Sequence, residues 1–240
     1  METALTENGL LGGRIRLLQP ARGYRVAVDA VLLAAAVEAM PGQQVLDLGA
    51  GVAAVGLCLA ARVPGCNVVG IELQPELAAL AIRNAAFNVA EGRLRTVVHD
   101  LARPLPADLG AFDHVATNPP YLAAAVADPS PDASKALATV ESSADLARWL
   151  AVATGALKPE GTLTLIHRSD RLEEIVGRLV RLGWGDMTIK RLPPAARVLV
   201  RARLGAPARR ESPPLRLHRP EGGYTDEAEA ILRHAQPLAF

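Results

Sequence analysis

The 240 residues are 50% hydrophobic and 21% charged, with a formal net charge of +1, enough for the packed core of one large α/β domain or two small ones. Two cysteines, Cys58 and Cys66, cannot build a disulfide framework, and the five histidines share no ligand spacing with them, which argues against a structural metal. The longest apolar run, Ala30 to Val37, is far short of a membrane span, and Met1 to Asn8 has no basic or apolar leader, so the expectation is a monomer of a reducing compartment, the cytoplasm.

After a polar start, Gly12-Gly13 opens a short stretch, Arg14 to Leu18, with strand character. An Ala/Leu-rich helix is expected from Ala30 to Met40, stopped by Pro41-Gly42. Val45 to Leu48 is an apolar run ending in Gly49-Ala50-Gly51, followed by an apolar helix to Arg62. Asn67 to Ile71 reads as a second buried strand closed by Glu72, and Pro75 opens a helix to Val89. Leu94 to Val98 and Phe112 to Ala116 are the next strands, ending at His99-Asp100 and at Asn118. Leu122 to Ser142 reads as a long polar loop, of the kind that forms lids. A helix over 144–157, a strand over 162–167 and a helix opened by Asp170 as an acidic cap follow. Two β-prone runs, Met187 to Leu192 and Val198 to Leu204, precede a Pro/Arg-rich tail and a helix over 225–234.

Short buried strands alternating with helices imply an α/β fold with a doubly wound, mostly parallel sheet, here expected to have seven strands in a single domain. Residues 1–41 would form an N-terminal extension and 205–240 a tail. In such sheets ligands bind at the carboxyl ends of strands, and the chemically suggestive residues of this chain all fall there.

Gly49 and Gly51 form a strand-to-helix turn, and Glu72 stands 21 residues after Gly51 at the end of the next strand, where a carboxylate accepts hydrogen bonds from ribose hydroxyls. Gly49-x-Gly51-x-x-Ala54 also loosely satisfies the dinucleotide fingerprint. Against a dinucleotide stand Asp47, placed to hold an ammonium group, Asp100, placed to accept from an adenine amino group, and the lack of a second mononucleotide half. Asp47-x-Gly49-x-Gly51, with acids after the next two strands, resembles the cofactor site of class I methyltransferases and implies S-adenosylmethionine, held by Asp47, Gly49, Gly51, Glu72, Asp100 and Asn118. That family prefers Gly where this chain has Ala53; a methyl there is expected to be tolerated in helix packing.

Asn118-Pro119-Pro120-Tyr121 supplies the catalytic candidates. An amino nitrogen conjugated to a ring or carbonyl is a poor nucleophile. The Asn118 side-chain oxygen and the Pro119 carbonyl would accept its two N–H groups, draw it toward tetrahedral geometry and stabilise the charge that grows on it. Consecutive prolines keep those acceptors from relaxing, and Tyr121 offers a ring on which an extruded base stacks. The tetrapeptide is similar to that of amino-group methyltransferases acting on DNA adenine, rRNA guanine and the glutamine amide of release factors.

The segment from Gln19 to Ala34, read with the motif at 118–121, resembles the bacterial tRNA1(Val) adenine-N6 methyltransferase family, from about Gly12 through Tyr121 and more weakly to Arg203. The resemblance implies methylation of an adenine N6 in tRNA, 3′ of the anticodon. It also places Tyr24 and Asp29 over the cofactor or target base, although Asp29 reads equally as a simple helix N-cap. From Lys190 to Pro220 nine cations face one anion, Glu211. Lys190, Arg191, Arg197, Arg201 and Arg203 are therefore the expected phosphate contacts, unless they merely solvate an edge. Two alternatives remain: a release-factor glutamine methyltransferase, whose additional helical domain has little room in the 46 residues before Asp47, and an inactive RNA-binding relative, supported by Ala53.

Overall fold

The structure is a computed structural model that describes residues 4–88, 90, 92–122, 133–141, 143–205 and 208–240. Ten strands and seven α-helices occur among these residues. Leu5–Leu10 (β1) and Ile15–Pro20 (β2) pair antiparallel as a separate ribbon. Eight strands form the main sheet, in the spatial order β10-β8-β9-β7-β6-β3-β4-β5. They are Gln44–Leu48 (β3), Asn67–Glu72 (β4), Leu94–Val98 (β5), Phe112–Thr117 (β6), Leu157–Arg168 (β7), Trp184–Arg191 (β8), Arg197–Leu204 (β9) and Arg209–Glu211 (β10). All neighbouring pairs are parallel except the two made by β9, which is antiparallel to β7 and to β8. The expected doubly wound, mostly parallel sheet is present with eight strands instead of seven. The eighth, β10, has only exposed side chains and so leaves no hydrophobic pattern to read.

The helices are Val28–Ala36 (α1), Ala54–Arg62 (α2), Pro75–Phe87 (α3), Ala133–Thr139 (α4), Leu146–Ala156 (α5), Leu172–Arg181 (α6) and Asp226–His234 (α7). Both faces of the sheet are buried, as parallel sheets require. Val45, Ala116, Ile166 and Leu199 face a core built with α1, α2, α3 and α7. Their chain neighbours Leu46, Val115, Leu165 and Val200 face the other, built with α5 and α6. This alternation is the two-residue period of a strand expressed on two layers.

Four expectations are corrected. The helix expected to reach Met40 ends at Ala36: its terminal carbonyls are taken by tertiary donors, Leu238 N–H to Ala35 O at 2.8 Å and the Arg62 guanidinium to Ala34 O. The polar start holds β1, whose partner β2 is bound on its other side by α3. Asn84 accepts from Leu18 N at 2.8 Å and donates to Leu18 O at 2.9 Å, and Asn88 repeats the pattern at Arg16 with 2.8 Å for both bonds. Two amide side chains thus act as a strand edge. Within the stretch expected to be loop, 133–139 is helical and Leu122 bridges Val140, whereas 123–132 and 142 lie outside the described residues. Asp170 does not cap α6, because its carboxylate pairs with Arg168 Nε at 3.1 Å.

The strand order carries the functional consequence. From β3 the chain runs outward to β4 and β5, then returns to β6 on the other side of β3. The sheet's topological switch point therefore lies between β3 and β6, and a crevice opens beyond their carboxyl ends. Leu48 is paired with Thr117 across these strands, so the turn beginning at Gly49 and the tetrapeptide beginning at Asn118 leave the sheet side by side.

Candidate active site

A cavity of ≈ 450 Å³ occupies this crevice, within the range of small-molecule sites. Asp47, Gly49, Gly51, Glu72, Asp100, Asn118, Pro119, Pro120 and Tyr121 all line it, as do Tyr24, Asp29 and Arg197. The sequence-predicted cofactor and catalytic residues are thus brought into one site.

On the β3–β4 side the turn is drawn tight by two bonds to one carbonyl: Gly49 N–H and Ala50 N–H both donate to Ile71 O at 2.9 Å. Gly49 has φ +77°, and a Cβ there would meet the Trp149 ring at 2.6 Å; Gly51 has φ +55°, with Tyr24 at 3.0 Å. Glycine is required at both for backbone conformation and for space. Ala53 occupies the same left-handed region, at φ 69° and ψ 28°, as the residue preceding α2. The methyl expected to be tolerated in helix packing thus sits on a left-handed residue ahead of the helix, a conformation that favours glycine. A left-handed alanine costs about 1–2 kcal/mol, part of which glycine returns as unfolded-chain entropy, so Ala53→Gly is expected to stabilise by about 0.5–1 kcal/mol. Thermal unfolding checks this as a Tm higher by about 1–3 °C; an unchanged Tm means an unstrained site.

The electrostatics are those of a site awaiting a cation and hydroxyls. Glu72 is buried and bound by two amides, Gly51 N–H at 2.7 Å and Gln74 N–H at 2.8 Å. Burial raises its pKa, and those amides work against the rise. Asp47 is 2% exposed, and its Oδ2 has no hydrogen-bond partner among the described residues. Burial, then the nearby charge of Glu72, pushes it up to about 7. A buried carboxylate is costly unless paired, and an ammonium group from a ligand would supply the pair. Asp100 Oδ1 accepts from Ala102 N at 2.9 Å and from Ser143 Oγ at 2.7 Å, bonds that hold it below the usual carboxylate range.

At the end of β6 lies the site's second orphan: Asn118 Oδ1 is buried without a partner among the described residues. Tyr121 donates to Asp29 Oδ2 at 2.7 Å, and burial together with the Asp29 charge raises its phenol pKa well above normal. Asp29 is not the N-cap of α1; Ala27 holds that position, and the Asp29 carboxylate in the first helical turn also accepts from Arg197 Nε at 3.0 Å.

The expected phosphate strip is largely occupied by protein. Lys190 is buried and donates to Pro213 O at 2.7 Å, with its pKa lowered by burial. Arg201 pairs with Glu38 and lies 4.5 Å from the Phe240 ring centroid. Neither reaches solvent freely, so both are withdrawn as phosphate contacts. Arg191 pairs with Glu211 at 3.0 Å and Arg203 with Glu38 at 3.7 Å, both on the surface. Such exposed pairs are worth about 0–1 kcal/mol, so a phosphate can displace the carboxylate at little cost.

Sequence reasoning missed three residues. Trp149 of α5 closes over Gly49; being one of two tryptophans was its only signal. Arg25 lines the cavity, exposed and bonded to Thr6 Oγ1 and Pro20 O, both at 2.8 Å, with no carboxylate partner among the described residues. His167, fully buried on β7, meets the Tyr121 ring edge-on; burial, then the charge of Arg171, lowers it to about 4, which keeps it neutral near pH 7. No three His, Cys, Asp or Glu among the described residues are grouped to hold a metal, and no described helix is long and apolar enough to cross a membrane.

The comparisons agree with this geometry. The sequence profile of the family described as "Methyltransferase small domain" matches residues 25–179, which include every lining residue named above except Tyr24 and Arg197. The chain is 32% identical over 169 residues to a tRNA1(Val) (adenine(37)-N6)-methyltransferase of Porphyromonas gingivalis, covering 68% of this chain and 66% of that protein. It is 35% identical over 147 residues to a release factor glutamine methyltransferase of Deinococcus radiodurans, covering 59% and 51%. The chain thus spans just under two thirds of the first relative and about half of the second. Among solved structures, a protein of Agrobacterium tumefaciens described as a predicted O-methyltransferase superposes with a TM-score of 0.71 at 25% identity, over 88% of this chain and 98% of that one. From the profile match and the fold together, the chain belongs to the methyltransferase small domain family.

Proposed function

We propose that this chain transfers the methyl group of S-adenosylmethionine to the exocyclic N6 of an adenine in tRNA. The observation that carries the reading is the buried Asn118 Oδ1 beside the cavity, unpartnered among the described residues. Leaving a buried acceptor unpaired costs about 1–3 kcal/mol, and a substrate N–H is the donor that satisfies it. The donor supplies an electrophilic methyl on a sulfonium centre. Asp47 suits its ammonium group, Glu72 its ribose hydroxyls and Asp100 its adenine amino group. Asn118 and the Pro119 carbonyl accept the two N–H groups of the target amine and hold its lone pair along the line of transfer. No strong base is needed, because the alkylated nitrogen is acidic and loses its proton readily. The tRNA assignment draws on the Porphyromonas gingivalis relative and on Arg25, with Arg191 and Arg203 as exchangeable surface contacts.

The 35% identity to a release factor glutamine methyltransferase favours a second reading, because a glutamine amide would satisfy the same two acceptors. Incubation with labelled S-adenosylmethionine, total tRNA and a bacterial protein fraction separates the two. The expected product is N6-methyladenosine in digested tRNA; label found only in a protein glutamine sinks the adenine reading.

A further inference from the structure

Tyr121 is restrained from three sides by residues distant in sequence. Its hydroxyl donates to Asp29 Oδ2 at 2.7 Å, and Arg197 Nε donates to that same oxygen at 3.0 Å. The Arg197 guanidinium carbon lies over the ring, 4.4 Å from its centroid. His167 meets the ring edge, with centroids 5.2 Å apart and planes at 75°. Asp29 belongs to α1, Tyr121 to the loop after β6, His167 to the end of β7, and Arg197 is the first residue of β9.

We infer that Asp29 and Arg197 form a clamp that fixes the Tyr121 ring and leaves only its remaining face for the target base, which makes both of them positioning residues of the reaction. The inference rests on the adenine reading above and deepens it. A tyrosine on a loop rotates unless its hydroxyl and one face are both engaged, and here a single carboxylate oxygen secures both. The charges of Asp29 and Arg197 neutralise each other in a partly buried pair, with side chains 14% and 29% exposed. Arg197 is thereby committed to the ring and is removed from the expected phosphate contacts. With its hydroxyl turned to Asp29, Tyr121 presents a flat surface and no hydrogen bond. That surface suits a nucleobase, whose stacking is worth more than that of a small carboxamide.

The chain has three tyrosines, Tyr24, Tyr121 and Tyr224, so fluorine NMR of the protein labelled with 3-fluorotyrosine reports on the ring directly, with Tyr121→Phe assigning the signal. The Tyr121 resonance is expected to lie apart from free tyrosine and to move toward it in Asp29→Asn and in Arg197→Lys, which keeps the charge but not the planar group. With tRNA as substrate, both variants are expected to lose about 10–100-fold in kcat, as misplacement by about an ångström does. Their Kd for S-adenosylmethionine, from calorimetry, should change much less than kcat, since Asp47, Glu72 and Asp100, the carboxylates proposed to hold the cofactor, are unaltered. An unmoved Tyr121 resonance in both variants overturns the clamp, as does wild-type kcat in both. Wild-type protein inert toward tRNA overturns the adenine reading instead, and the resonances still decide whether the ring is clamped.

Discussion

Replacing Asn118 by alanine is expected to lower kcat by about 10²–10³-fold, the effect of removing one preorganised partner of a developing charge. The reasoning is geometric. Asn118 leaves β6 one residue past Thr117, which is held opposite Leu48 and whose hydroxyl donates to Leu48 O at 3.0 Å. Pro119 and Pro120 follow directly and restrict the backbone dihedrals. The Oδ1 atom is therefore held in place before substrate arrives, unpaired among the described residues, and its dipole needs no reorganisation when a substrate N–H meets it. Alanine removes the acceptor without altering the sheet, so the Kd for S-adenosylmethionine should change by less than about threefold. Single-turnover methyl transfer together with calorimetry reads both quantities. Turnover within a few-fold of wild type removes Asn118 from the reaction.

Asp47→Asn is expected to have opposite effects on stability and on cofactor binding. The folded-state pKa of Asp47 is raised from 3.8 to about 7. The folded protein therefore holds a proton that the unfolded chain has released between those values, and stability falls as pH rises through that window. The penalty is absent below the unfolded value and fully developed above about 7. Asparagine removes it, so the variant should unfold at higher temperature than wild type at pH 8, by roughly 2 kcal/mol after allowance for burying an amide. An ammonium-bearing ligand reverses the sign, because it favours the ionised form and expels the proton on binding. Wild-type affinity for S-adenosylmethionine should therefore rise as pH approaches about 7 and level off above it. Asp47→Asn should bind about 10²-fold more weakly, having lost a buried charge pair, with no such pH dependence. Calorimetry at several pH values, with proton release measured in two buffers, tests this. A wild-type affinity that is flat from about pH 6 to about pH 8 (about one unit either side of the expected midpoint) would mean that Asp47 does not face the ammonium group.

Periodicity and strand-end residues were enough to locate most of the fold and the site. β5 has the bounds expected of it, β3, β4, β6 and α3 differ by one or two residues, and the cofactor and catalytic candidates converge on one cavity. These features are local. A buried parallel strand needs a continuous apolar run, the turn after it needs glycine at positive φ, and the pattern repeats from strand to strand. What was illegible depended on partners far along the chain. α1 ends where residues of α2 and of the tail take its carbonyls, and β2 is anchored by amides from α3. Ala53 looks like an ordinary helix residue until its φ is known.

The charges show the same division. As a string, 190–220 reads as a cationic strip, whereas in the fold Glu38 and Glu211 each meet two of its arginines, Glu173, Asp186 and Asp226 one each, and Asp29 takes Arg197. By itself, then, the sequence determined the sheet-and-helix alternation, the glycine turn and the strand-end position of the tetrapeptide 118–121, since each arises from residues within a few positions of one another. Only the tertiary structure decided which charges are free, which face of Tyr121 is open and which carboxylate is left unpaired. Coulombic pairing, burial and stacking act over ångströms in space, and no spacing along the chain encodes those distances.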